Sequence, residues 1–262
     1  MSSALFSPFA LCNQSFDNRI VVAPMCQYAA EDGLVSDWHL MHLGNLAVSG
    51  VGLLIFEATG VEARGRITPK CPGLWNDRQA EALERVIHFC RQYSNTKLGM
   101  QLAHAGRKAS ASPPFQGGKP IIPDDPTGWQ TIGPSANPFT PDWPVPEMMN
   151  ETDMDVVKTA FVSATHRSIQ LGFDFLEIHA AHGYLLSAFL SPLSNLRNDK
   201  YGGSLDNRMR YPLEVVGAVR NVWPEDKPLC VRFNGTDWIE DGWSVDDSVD
   251  FSKELYDVGV NI

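Results

Sequence analysis

The densest group of chemically competent side chains is Glu177-Ile178-His179-Ala180-Ala181-His182-Gly183-Tyr184. Two imidazoles three residues apart, with a phenol two residues further on, can converge on one oxygen-bearing ligand. The H-x-x-H spacing also suits zinc, but no third ligand follows at a matching interval, and two histidines leave that metal under-coordinated. A structural role, with both rings satisfied by backbone groups, is the other alternative. A second group is Ala23-Pro24-Met25-Cys26-Gln27-Tyr28, where a thiol and a phenol could contact a cofactor, although a lone Cys is more often a small buried hydrophobe. A third is Gln101-Leu102-Ala103-His104-Ala105-Gly106-Arg107-Lys108; His104 reads as structural, because the histidine pair already fills the acid role. The fourth, Tyr201-Gly202-Gly203-Ser204-Leu205-Asp206-Asn207-Arg208, has the composition of a turn and helix start. Its Gly-Gly could cradle a phosphate, but a structural turn is the better reading.

These groups must be held by an alternation of strands and helices. Short apolar, β-rich runs at residues 19–23, 51–56, 97–102, 173–179 and 229–233 suit strands buried on both faces of a parallel sheet. Helical periodicity lies between them. Leu83, Val86, Ile87 and Cys90 share one face behind a cap at Asn76 or Asp77. Thr152-Asp153-Met154-Asp155 predicts a capping box for a helix burying Val157, Ala160, Phe161 and Ala164 and ended by Gly172. Residues 244–247 repeat the box before Val249, Ser252 and Tyr256, and Asp37 could cap a helix through Leu43 and Ala47. Pro212 predicts a helix that is kinked or starts late.

Five βα units and the start of a sixth strand at Val260 result. The chemical residues, Glu57, Ala58 and Arg232 among them, cluster just after successive strands, which is how an α/β barrel builds its site. An open Rossmann sheet would carry G-x-G-x-x-G, and none is present. The expected fold is therefore a (β/α)8 TIM barrel, incomplete, in one domain over residues 1–262. Ten of the 18 prolines fall between Pro113 and Pro146, so residues 112–150 are expected to form an irregular excursion after strand three, either a plain surface loop or a cover for the barrel mouth. With strands seven and eight still to come, the chain reads as a fragment or a truncated product.

A net charge of −10 argues against a nucleic-acid or anionic-membrane surface. No apolar run reaches the roughly 18 residues a membrane span needs, and no signal segment is seen. Five cysteines, odd in number and without a C-x-x-C, suit reduced thiols of the cytoplasm.

Taken together and in order, residues 24–28, 101–108, 179–186 and 201–208 resemble the Old Yellow Enzyme family, and the resemblance runs over essentially the whole chain. Cys26 with a His-His pair is similar to its subclass that includes xenobiotic reductase. The resemblance implies FMN at the barrel mouth, reduced by NADPH or NADH, and ping-pong transfer of hydride to the β-carbon of an α,β-unsaturated carbonyl compound. By motif, His179 and His182 would hold the carbonyl oxygen and Tyr184 would supply the proton to the α-carbon. Pro24, Met25, Cys26 and Ala58 would wall the flavin ring, Gln101 would pair with its pyrimidine edge, and Arg232 would stand beside N1 and O2. Tyr28 would line the pocket for a small enone-type substrate, and a homo-oligomer is implied. Because the family holds the cofactor phosphate after strands seven and eight, this chain alone is expected to bind FMN weakly or not at all. The competing expectations are a non-catalytic remnant, a tailoring reductase of a biosynthetic pathway, and a dienoyl-CoA or amine-oxidising relative.

Overall fold

A computed structural model describes residues 3–262. The chain opens with an antiparallel hairpin, β1 (Phe9–Leu11) and β2 (Gln14–Phe16), followed by the short β3 (Val21–Val22) and helix α1 (Asp37–Ala47). Then come β4 (Leu53–Gly60), α2 (Asp77–Tyr93) and β5 (Lys97–Ala103). The next segment carries two short 3-10 turns (Gly106–Lys108 and Pro114–Gln116), β6 (Ile132–Gly133) and β7 (Glu147–Met148) before α3 (Glu151–Gln170) and β8 (Phe175–Ala180). The chain continues through α4 (Leu185–Leu190), α5 (Leu205–Arg220), β9 (Leu229–Phe233) and α6 (Val245–Asp257).

β3, β4, β5, β8 and β9 form one parallel sheet in that order. It is curled, as part of a (β/α)8 barrel. Side chains alternate across such strands, and the two faces bury different sets. Leu54, Phe56, Leu98, Met100, Leu102, Leu176, Ile178, Leu229 and Val231 join the large core shared with the helices. Leu53, Ile55, Phe175 and Cys230 face the other way and pack with Phe16 of the hairpin, which plugs the end of the sheet opposite the chemistry. Each such apolar side chain removed from water contributes about 1.5–3 kcal/mol, which is what fixes the register.

The helices begin where side chains can satisfy their first amides. Asn76, with Gln79, caps α2, and Ser244, with Asp247, caps α6. The box on α3 is built by Asn150 and Asp153, two residues before the expected one, because Asn150 is extended and its Oδ1 accepts the Asp153 amide. α1 is capped by Ser36, not Asp37, and its N3 residue is His39. The buried face of α6 is Ser248, Phe251 and Leu255; Val249 and Tyr256 are exposed, so the expected stripe lay one residue out of phase. α5 runs through Pro212 and starts at Leu205, so it does not start late.

β4, the second strand of the sequence reading, is longer than expected, reaching Gly60, and its register breaks between Phe56 and Thr59, at Glu57 and Ala58. Glu57, Ala58, Gln101, His179 and Arg232 therefore lie in the last residues of strands rather than after them. The hairpin and α4 carry no signal that the sequence reading used. Residues 112–150 are not wholly irregular, since β6 and β7 pair in parallel. Beyond α6, the Val231 amide donates to Ile262 O (3.0 Å) and the Asn261 amide to Leu229 O (2.9 Å). Residues 261–262 thus pair with β9 as a sixth strand would, without forming a regular one.

Candidate active site

At the C-terminal end of β8 the chain turns sharply, with His182 (φ 61°) and Gly183 (φ 73°) both left-handed. A non-glycine residue there costs about 1–2 kcal/mol unless the surroundings hold it. Three bonds do so. The His182 amide donates to Asn234 Oδ1 (2.9 Å), Lys108 Nζ donates to His182 O (2.7 Å), and the Gly183 amide donates to Ser187 Oγ (3.2 Å). The turn brings His179, His182 and Tyr184 together. The ring centroids of His179 and His182 are 4.9 Å apart, and Tyr184 lies 4.9 Å from the first and 6.2 Å from the second.

The protonation pattern follows from the bonds. His179 Nδ1 accepts the Ala181 amide at 3.1 Å, so the ring's proton is on Nε2, which donates to His182 Nδ1 at 3.1 Å. The remaining proton of a neutral His182 is then on its Nε2. Burial, then the charge of His182, and then Arg232 and Lys108 push His179 down to about 3. Burial, Arg232 and Lys108 also lower His182. Both rings are therefore neutral N–H donors at neutral pH. Burial first, then Cys26, Tyr28 and Cys71, pushes the Tyr184 phenol well above its ordinary value, so it stays protonated.

A second row of residues crosses the floor. The strand register sets Gln101 beside Glu177, Glu177 beside Cys230, and His179 beside Arg232. Gln101 Nε2 donates to Glu177 Oε1, and the Cys230 thiol stands 3.7 Å from the other carboxylate oxygen. Burial raises the Glu177 carboxyl, partly offset by Gln101 and by the charge of Arg232. With Nε2 facing Glu177, Gln101 has its amide oxygen free. The Arg232 guanidinium makes no hydrogen bond among the described residues and lines an open hollow of about 430 Å³ with Ala23, Pro24, Glu177 and Cys230.

The wall beside this floor comes from residues 23–30, which have no regular structure. Cys26 is half-buried as a residue, yet burial is the largest cause raising its thiol, ahead of Cys71 and Glu57, with the nearby Ala58 backbone and Tyr28 partly offsetting it. Ala58 is buried, whereas Met25 is 49% exposed. Tyr28 is left-handed (φ 52°) and meets Phe115, from the 112–150 excursion, edge-on. The same excursion sets Phe139 under Lys108, whose Nζ lies 4.5 Å from that ring and 5.2 Å from the ring of Tyr184. Lys108, Asn234, Glu177 and Phe139 are the site residues that the sequence reading did not assign; Lys108 and Glu177 did lie inside its quoted motifs.

Two other motifs are accounted for by packing. His104 is buried, accepts the Gly106 amide at Nδ1 (3.0 Å) and meets Glu62 at Nε2 (2.8 Å). Gly202 is demanded by close approach, since a Cβ there would sit 2.3 Å from Arg197 O, and Ser204 caps α5. Among the described residues no three His, Cys, Asp or Glu side chains are placed to hold a metal ion, and no helix is long and apolar enough to cross a membrane. An apolar hollow of about 250 Å³ beside the hairpin, lined by Phe9, Leu11, Phe16, Leu53 and Phe175, shares Val21 and Ile262 with the hollow at Arg232.

A family model described as NADH:flavin oxidoreductase / NADH oxidase matches residues 4–262. An NADH:flavin oxidoreductase of Gibberella zeae is 42% identical over 274 residues, covering 100% of this chain and 66% of its own length. An NADPH dehydrogenase of Bacillus cytotoxicus is 43% identical over 264 residues, covering 100% and 71%. Among solved structures, morphinone reductase in complex with tetrahydroNAD superposes with a TM-score of 0.85 at 25% identity, over 99% of this chain and 72% of that one. The Old Yellow Enzyme from Pichia gives 0.80 at 28% identity, over 95% and 65%. This chain thus spans roughly two thirds of the relatives' lengths.

Proposed function

Since the chain belongs to the NADH:flavin oxidoreductase / NADH oxidase family, we propose that it is an FMN-dependent reductase that takes electrons from NADPH or NADH and delivers them to the C=C bond of α,β-unsaturated carbonyl compounds. The observation that carries this reading is the convergence of two neutral imidazoles and a protonated phenol at the end of β8, beside a guanidinium that makes no hydrogen bond among the described residues.

The floor fits the flavin. A half-buried cation without a hydrogen bond is costly, and Arg232 faces open space rather than a carboxylate in contact. Next to it, Gln101 keeps an acceptor oxygen and a second amide hydrogen for the pyrimidine edge, its orientation set by Glu177. Pro24, Met25, Cys26 and Ala58 would flank the ring, the first three from an open segment and Ala58 from the strand end. Bound FMN would supply a two-electron carrier able to accept hydride from a nicotinamide and release it to an electron-poor alkene.

The chain's own residues then do the rest. His182 Nε2–H is free to donate to the substrate carbonyl oxygen, while His179 holds His182 through Nε2 and donates to the same oxygen only by exchanging that bond for the substrate. Neutral donors of this kind bind more tightly when negative charge develops there. Removing one such donor typically costs about 10²–10³-fold in rate. Tyr184 holds a proton that goes to the α-carbon. Lys108 adds positive charge beside the pair and fixes the turn through His182 O. Tyr28, with Phe115 edge-on to it, would line one side of the pocket.

The test is anaerobic reduction of 2-cyclohexenone by the FMN-loaded protein, with NADPH and NADH compared. Saturated ketone formed with stoichiometric loss of reduced nicotinamide is the expected result. Oxidation of nicotinamide by oxygen alone, with the enone untouched, would overturn the substrate class while leaving the flavin reading in place.

A further inference from the structure

Glu57 is 4% exposed, and its side chain makes no hydrogen bond, among the described residues, to the side chains assigned above to cofactor or substrate. Burying a carboxylate is costly unless partners are well placed, so its partners identify what it is for. Oε2 accepts the Gln27 amide at 2.9 Å. Oε1 stands 3.4 Å from Nε2 of His39, a ring with no exposed surface on α1. His39 Nδ1 accepts the Ser36 amide at 2.9 Å, so the ring's proton is on Nε2, the nitrogen aimed at Glu57. That nitrogen has no hydrogen bond of its own, so the contact is electrostatic rather than a formed bond.

What the carboxylate holds is the middle of residues 23–30. This segment has no ladder to fix it, yet it presents Cys26 and a left-handed Tyr28 to the site. Its far end is tied by the Ala30 amide to Lys70 O (2.9 Å), and the Gln27 side chain bonds Met25 O and the Trp38 indole. The Gln27 amide, between the two site residues, is bonded to Glu57 alone among the described residues. We propose that Glu57, backed by His39, is the positioning residue of this wall: its carboxylate fixes the Gln27 amide and so sets where Cys26 and Tyr28 stand. Its charge acts in the same direction. After burial and the neighbouring cysteines, Glu57 raises the Cys26 thiol and the Tyr28 phenol, which keeps both as neutral groups. The placement concerns this chain's own loop and needs no cofactor; only its meaning for catalysis rests on the flavin reading.

Site-resolved alkylation by iodoacetamide, read by mass spectrometry, tests it, with exposed Cys12 as the internal reference and buried Cys71, Cys90 and Cys230 as controls for unfolding. Glu57→Ala should speed Cys26 alkylation about 10-fold or more relative to Cys12, as expected for the loss of a hydrogen bond to a charged acceptor. Glu57→Gln retains an oxygen for the Gln27 amide and should recover most of the protection. Equal rates in Glu57→Ala and the unsubstituted protein would overturn the proposal, and so would a Gln variant as fast as the Ala variant, because charge alone would then explain the effect. If the Ala variant exposes all cysteines, hydrogen exchange of the unsubstituted protein decides. The Gln27 amide should exchange as slowly as amides of β4, and exchange at the rate of its irregular neighbours would refute the anchor. These readouts need no flavin, so a failure here leaves the proposed activity standing.

Discussion

Replacing Arg197 by Met removes a guanidinium that ties residues 112–150 to the body of the protein while keeping an unbranched apolar stem. Arg197 is 7% exposed. Its Nη1 donates to Pro134 O (3.0 Å) and Met149 O (2.7 Å), and Nε and Nη2 hold Asp199. Leaving each buried carbonyl unpaired costs about 1–3 kcal/mol. The Asp199 side chain is 42% exposed and returns to water, so that half of the interaction adds at most about 1 kcal/mol. The sum is about 2–7 kcal/mol, or a fall in Tm of roughly 4–28 °C for a chain of this size. Urea unfolding followed by far-ultraviolet circular dichroism measures it, and limited proteolysis should show new cleavage between residues 113 and 146. The hydrogen bonds of Arg197, chiefly, hold the Asp199 carboxyl below its ordinary value. Its contribution is therefore present above the ordinary carboxylate range and is lost as pH falls through the folded value. The gap between the two proteins should narrow somewhat below about pH 4. A loss under about 1 kcal/mol, with no new cleavage, would show that water replaces the guanidinium at both carbonyls and would refute the reasoning.

Tyr184→Phe in the FMN-loaded protein should slow enone reduction by about 10²–10⁴-fold while leaving flavin reduction by NADPH nearly unchanged; equal losses in both half-reactions would remove Tyr184 as proton donor. Because its phenol is raised above the ordinary value, the wild-type enone step should show no loss from Tyr184 ionisation below about pH 10, and stopped-flow rates across pH 6–9 check this. Replacing both His179 and His182 by Ala should abolish the affinity for phenols, which mimic the enolate, as read by their long-wavelength absorbance with bound flavin; unchanged affinity would reject the assigned donors.

Much of the architecture was legible because it rests on periodicity. The buried strands, the helix faces through Leu83–Cys90 and Val157–Ala164, and the caps at Asn76 and Ser244 depend on nearest neighbours in sequence. The histidine pair and Tyr184 were legible because one turn carries all three. What stayed hidden depends on contacts across the chain. The break in register at Glu57 follows from β4 pairing with β5. Lys108 reaches His182 O from 74 residues away, and His39 meets Glu57 from a neighbouring helix. The phase of α6 failed because Val249 and Tyr256 are apolar yet face solvent, while Ser248 is buried by bonds from its hydroxyl to Asn234 O and Gly235 O. The short β6–β7 pairing has no pattern that a proline-rich stretch would reveal.

The central claim is that the floor formed by Gln101 and Arg232 binds a flavin that nicotinamide can reduce. It is tested by titrating FMN into the protein anaerobically, following flavin fluorescence, and then adding NADPH. Saturable quenching of low affinity is expected, weakened a further ~10-fold by Arg232→Met through loss of a charge-assisted contact, followed by bleaching of the flavin absorbance on adding NADPH. Quenching that never saturates, or that is the same in Arg232→Met, would contradict it.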